Sequence, residues 1–216
     1  MIRKSGFLIA LLCVAFFHRG ISQTSFSDLF DSDKPLTYLG VDFTQAKVTG
    51  HTNIELEDLA NRHFSNINNL VLNEPKKYDL PKFFHKSDVA SDISFVEEHN
   101  KKIDPKELNA SGKDKDLTAA SIEKLVKGYN FGGKKGMGVL MIVESMKKIE
   151  KNEEGTLYVV FVDMATNKVL YSEKFTSKPA GFGLRNYWAK IVYNALDAIG
   201  DSKYKEWKKR NQSNKA

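Results

Sequence analysis

Gly136-Met-Gly-Val-Leu-Met-Ile-Val-Glu-Ser-Met146 decides the fold. From Met137 to Val143 the run is nearly all apolar, which is strand length and far short of the roughly 20 residues that span a bilayer. A strand apolar on successive residues is covered on both faces. Two more runs rich in Val, Leu, Phe and Tyr follow, at Thr156 to Val162 and Lys168 to Phe175. The first connection, Lys147 to Gly155, is charged and reads as a loop. The second, Asp163 to Asn167, is short and places Asp and Asn where turns favour them. Short connections join antiparallel neighbours, so 138–175 is expected to be a three-stranded meander.

Working outward, Thr37 to Val48 reads as an earlier strand carrying Tyr38, Leu39, Val41 and Phe43. Thr52 and Glu55 have capping-box spacing, and Leu56, Leu59, Phe64, Ile67 and Val71 continue at helical period to about Leu72. Lys76 to Ser91 is open between a short helix and a packed loop. Asp92 to Ile103 is expected to be a strand, and polar Asp104 to Asp116 a surface loop. Thr118 caps a second helix with apolar Ile122, Leu125, Val126 and Tyr129. A last helix starts near Leu184 or Arg185, with Trp188, Ile191, Val192, Ala195, Leu196 and Ile199 in one stripe. Gly200 is expected to interrupt it before a basic extension bearing Tyr204 and Trp207. The result is an α/β fold of mixed α+β layers: a mostly antiparallel sheet with a C-terminal strand meander, packed by about three helices.

The first residues read as an export signal. Arg3 and Lys4 precede the apolar run Phe7 to Phe17, and Gly20 and Ser22 form a small-x-small cut site. Residues 1–22 are therefore expected to be a cleaved signal peptide, with Gln23 first in the mature chain. An uncleaved anchor is the alternative. Cys13, the only cysteine, follows Leu11 and Leu12 rather than the small residues a lipidation site needs, and leaves with the signal. The mature chain must then rely on its core instead of disulfides. Removing Arg3, Lys4 and Arg19 from 33 basic residues leaves 30 against 27 acidic. Lys203 to Ala216 holds six basic residues and one acidic one, so the body 23–202 is slightly acidic. That balance argues against nucleic acid as a partner. We expect one α/β domain over 23–202 and a solvated basic tail over 203–216, able to touch an anionic surface through Lys203 to Lys215.

The stretches Gly138 to Ser145, Val162 to Leu170 and Gly181 to Ala189 resemble a family of uncharacterised secreted proteins of Bacteroidetes-type bacteria. The order of strand, short-turn hairpin and terminal helix is similar to envelope proteins of the TolB N-terminal and CsgG-like type. The first resemblance implies a secreted bacterial protein and the second an envelope setting. Neither implies an activity or any site residue.

Chemical motifs are sparse. Gly132-Gly-Lys-Lys-Gly-Met-Gly138 inverts the order of a phosphate loop, since its glycines follow a helix and precede a strand. His51, His63, His85 and His99 are dispersed, with no HExxH pattern, so no metal or other cofactor is expected. Asp42 and Glu144 each end an apolar strand. On parallel neighbours they would share one sheet edge, where carboxylates can do acid–base work or hold a cation. Gly181-Phe-Gly-Leu-Arg-Asn-Tyr-Trp188 opens the last helix, and there Arg185, Asn186, Tyr187 and Trp188 offer a planar cation, an amide and aromatic faces. The expected function is an exported, non-catalytic interaction protein that binds an envelope protein or surface glycan through 181–188. The alternative is an exported hydrolase using Asp42 and Glu144.

Overall fold

The computed structural model describes residues 23–110 and 116–213. The expected signal peptide lies outside the described residues. In chain order the elements are β1 (Leu36–Asp42), β2 (Lys47–Thr49), α1 (Asn53–Asp58), α2 (Phe64–Asn73), α3 (Leu80–Phe84), β3 (Ala90–Ser91), α4 (Ser94–Asn100), α5 (Ala119–Lys127), β4 (Met137–Ile149), β5 (Asn152–Asp163), β6 (Lys168–Ser177), α6 (Gly183–Ala198) and α7 (Tyr204–Ser213). Single 3-10 turns lie at Phe26–Phe30 and Pro105–Leu108. The mixed α/β class holds, and the long ladders are antiparallel.

The sheet runs β3-β1-β4-β5-β6, and β2 also pairs with β4. β1 and β2 lie parallel to successive halves of β4, with Asp42 opposite Ile142 and Lys47 opposite Ser145. β4, β5 and β6 form the expected meander. Its first hairpin is longer than expected. The segment read as a charged loop continues the ladder to Ile149 opposite Asn152, because Lys147 faces Glu154 and Lys148 faces Glu153 across the strands.

Alternation along β4 feeds two cores. Met137, Val139, Met141 and Val143 pack into the larger one, under α1, α2, α6 and α7. Leu140 and Ile142 join Val160, Val162, Val96, Ile122 and Val126 in the smaller one, under α4 and α5. The doubly covered central strand is thus present, in three layers.

Two expected elements differ. The segment 92–103 is helical over Ser94–Asn100 and extended only at Ala90–Ser91. Asp92 Oδ1 accepts the Ser94 amide at 3.2 Å and its hydroxyl at 2.5 Å, which turns the chain. Val96 and Asn100, four apart, then face the sheet. Gly200 does not interrupt the last helix either. A π turn over Ile199–Lys203 carries α6 into α7, and Gly200 lets Phe83 approach, since a Cβ there would lie 3.1 Å from the Phe83 ring. The wide turn resets the helical phase so that Ile199, Tyr204 and Trp207 all stay buried. The stretch expected to be a solvated tail is therefore a docked helix as far as Ser213.

Candidate functional site

The 181–188 segment forms a rim at the end of the sheet where β6 hands over to α6. Gly181 (φ 121) and Gly183 (φ 77) take left-handed backbone, and between them Phe182 is 96% exposed. The loop is pinned. The Ala180 amide donates to the Tyr187 carbonyl, and Asn186 Nδ2 to the Phe182 carbonyl, each at 3.2 Å. Arg185 Nε donates to Asn186 Oδ1 at 3.1 Å, so the guanidinium is held by a side chain and is only partly covered.

Two neighbouring segments meet this rim. The Lys148 ammonium sits 5.3 Å over the Tyr187 ring, bringing in the end of β4. His51, just before α1, lies 5.7 Å from the Trp188 ring. Among the described residues, those segments carry the other two exposed large apolar side chains, Ile149 (45%) and Ile54 (80%). Trp188 itself is buried among core residues and offers no face to a partner. Its Nε1 and both His51 ring nitrogens have no hydrogen-bond partner among the described residues, and Glu55 Oε1 stands 3.6 Å from His51 Nδ1. Burial lowers the His51 pKa; Glu55 opposes that shift and Lys148 reinforces it. Burial and then Glu153 raise the Tyr187 hydroxyl.

Asp42 and Glu144 do lie on parallel neighbours and project toward the smaller core. Each is already engaged. Asp42 is fully buried, accepting the Tyr129 hydroxyl and, at 2.7 Å, the Thr44 amide. Burial and then the Asp42 charge raise Tyr129 well above the ordinary phenol range. Glu144 accepts the Leu117 amide at 2.7 Å and pairs with Lys174 at 2.7 Å, which raises the Lys174 pKa. Carboxylates satisfied in this way hold a fold together and have little left for a substrate.

The residue pattern did not reveal a cavity of about 600 Å3 beyond the carboxyl end of β1, among Thr44, Gln45, His99, Lys102 and Leu125. His99, one of the dispersed histidines, stacks on Tyr129 at 4.1 Å and 14°. Its signal was the strand-terminal Asp42, whose hydroxyl partner positions that stack. The charges lining the cavity are mixed and select no ligand class.

No family model and no curated protein matches the chain. Among solved structures, the chain is similar to a lipoprotein of Neisseria meningitidis, with 15% identity over 78% of this chain and 98% of that one and a TM-score of 0.29. It is also similar to a hypothetical protein of Chlamydia trachomatis, with 9% identity over 77% and 93% and a TM-score of 0.34. Neither likeness bears on activity, and the secreted Bacteroidetes-type family is not among these matches.

Proposed function

We propose that this chain is an exported, non-catalytic interaction protein that presents the 181–188 rim to another envelope or secreted protein. The observation that carries the reading is Phe182, an aromatic side chain held almost wholly in water on a pinned loop. Exposed large apolar groups of this kind mark contact sites when they cluster, and Ile54 and Ile149 stand on the adjoining segments. An apolar cluster with no sugar-stacking Trp face suits a protein pocket better than a glycan.

A photo-crosslinking residue at position 182, expressed in the producing cell, tests the site. One discrete protein adduct is expected, weakened by Ile149→Asp and absent from the same probe at exposed Lys124 on α5. Equal labelling at 182 and 124, or none at either, overturns the reading. Mass spectrometry of the recovered protein is expected to find Gln23 at the amino terminus; cytosolic protein that retains Met1 defeats export.

A further inference from the structure

The two faces of α7 treat their cations differently. On the inner side Tyr204 and Trp207 are buried, and Lys203 and Arg210 are bound by Glu173 and Glu206 at 2.7–3.0 Å. Spacings of three and four residues place Lys205, Lys208, Lys209 and Gln212 on the other side, all exposed. Among the described residues no carboxylate pairs with any of these three lysines. With His85 and Tyr204 they line a shallow cleft of about 290 Å3 that has no acidic residue in its wall.

His85 is fixed in this cleft by the fold. It ends α3 in left-handed backbone (φ 51), its ring lies on Tyr204 with centroids 4.2 Å apart, and its Nε2 reaches the Gly200 carbonyl at 3.0 Å. A carbonyl only accepts, so Nε2 carries the hydrogen, and His85 serves to fix the cleft wall against Tyr204 while the lysines supply the charge. A larger neighbouring cleft of about 660 Å3 shares His85. It sets Lys76, Lys77, Lys82 and Lys86 beside Asp79, Asp197 and Asp201, and Lys86 is turned inward onto the Asp28 and Asp31 carbonyls, so the charges that face the cleft largely offset. Of these two clefts, the one along α7 is the one whose described wall carries no acid.

We propose that this face of α7 is a docking surface for an anionic lipid bilayer, whose phosphodiester headgroups meet Lys205, Lys208 and Lys209. Three observations favour a bilayer over a single shaped ligand. The cations are lysine ammoniums on long, exposed stems, which suit a mobile carpet of headgroups better than one rigid anion. The cleft is shallow and stands at the lower end of the about 300–1,000 Å3 range of small-molecule pockets, so it would enclose little of a compact ligand. The charge is also polarised, because Lys203 to Ala216 carries six basic residues and one acidic while the preceding body is slightly acidic. A field of that shape turns one end of the molecule toward a negative surface. The aromatic side chains of α7 face inward, so the attachment is electrostatic. It is independent of the rim, and either reading can fail without the other.

The test is co-sedimentation of the protein, purified from its producing cells, with vesicles of phosphatidylglycerol in phosphatidylcholine and with phosphatidylcholine alone. Binding is expected only to the anionic vesicles and is expected to be lost near about 1 M salt, where the Debye length is about 3 Å. Each of Lys205→Ala, Lys208→Ala and Lys209→Ala is expected to lower partitioning about fivefold, and the triple variant on the order of a hundredfold. Lys124→Ala on α5 is expected to have no effect. Far-UV circular dichroism checks that the triple variant keeps its fold, as exposed side chains should allow. Equal binding to both vesicle types, or parental binding by the folded triple variant, overturns the proposal. Release from vesicles by millimolar inorganic phosphate overturns the bilayer as the ligand and assigns the cleft to a free anion.

Discussion

Two buried asparagines hold the outer edge of β1. At Gly40 (φ 99) the strand bulges, and beyond it the side of β1 away from β4 has no strand partner among the described residues. Asn68 Oδ1 accepts the Val41 amide at 2.7 Å, and its Nδ2 donates to the Val41 carbonyl at 3.0 Å and to Glu97 at 2.7 Å. Asn100 does the same one step on, accepting the Phe43 amide at 2.8 Å and donating to the Val41 carbonyl at 2.9 Å. Truncating either amide leaves one buried backbone N–H without its partner, that of Val41 for Asn68 and that of Phe43 for Asn100, at about 1–3 kcal/mol plus the lost packing, while the Val41 carbonyl keeps the other asparagine. We expect Asn68→Ala and Asn100→Ala each to lose about 2–3 kcal/mol in urea unfolding, and Asn68→Asp to lose at least as much, because it replaces a donor to Glu97 with a second carboxylate. A loss below about 0.5 kcal/mol would mean that the edge is satisfied in some other way. Neither asparagine was legible in the sequence. Apolar periodicity finds the side chains that leave water, and a buried amide looks like a surface residue until its partners are placed.

The elements were legible where burial has a simple period. The 137–143 run announced a doubly covered strand, and the stripe from Trp188 to Ile199 announced α6. Where the signal was mixed, context decided. Ile93, Phe95 and Ile103 sit at odd positions and mimic a strand, yet the Asp92 turn starts a helix there. Basic residues hid α7, because its anchor is a carboxylate on β6. Glu173 accepts Trp207 Nε1 at 2.6 Å, Lys203 at 2.7 Å, Arg210 at 3.0 Å and the Tyr171 hydroxyl. Burial alone would raise its pKa. The donors Lys203, Tyr171, Trp207 and Arg210 outweigh burial and hold it at about 2, below its ordinary 4.5. A depressed carboxylate pKa contributes stability that is complete above the ordinary value and is lost as pH falls toward the folded one. The Trp207 indole N–H resonance is therefore expected to move between roughly pH 4.5 and 2 as α7 loosens. Glu173→Gln should flatten that titration and weaken α7 already at pH 7. An indole resonance that stays fixed through this window would show that packing alone retains the helix. At the rim the sequence singled out Arg185, Asn186, Tyr187 and Trp188; the structure draws Trp188 inward with its stripe and exposes Phe182, which the two glycines lift out and which periodicity does not mark.

At the scale of the molecule, the sheet belongs to both cores at once. Met141 and Val143 enter the larger core while Leu140 and Ile142, their neighbours in the same strand, enter the smaller. β5 divides in the same way, with Val159 and Phe161 on one side and Val160 and Val162 on the other. Stripping α5 from its face would leave β4 and β5 half wet, and the α6 side would then rest on strands that had lost half their burial. Coupling of this kind predicts one cooperative unit from Phe26 to Trp207. Ile122→Ala, a truncation in the smaller core, is expected to cost about 2–4 kcal/mol. It should shift the near-UV signal, which includes Trp188 in the opposite core, by the same amount as the far-UV signal. Coincident curves in the variant and the parent support a single domain. An early transition that removes helix content while the near-UV signal of Trp188 persists would show that the two faces of the sheet unfold as separate units, and that strand alternation does not tie them.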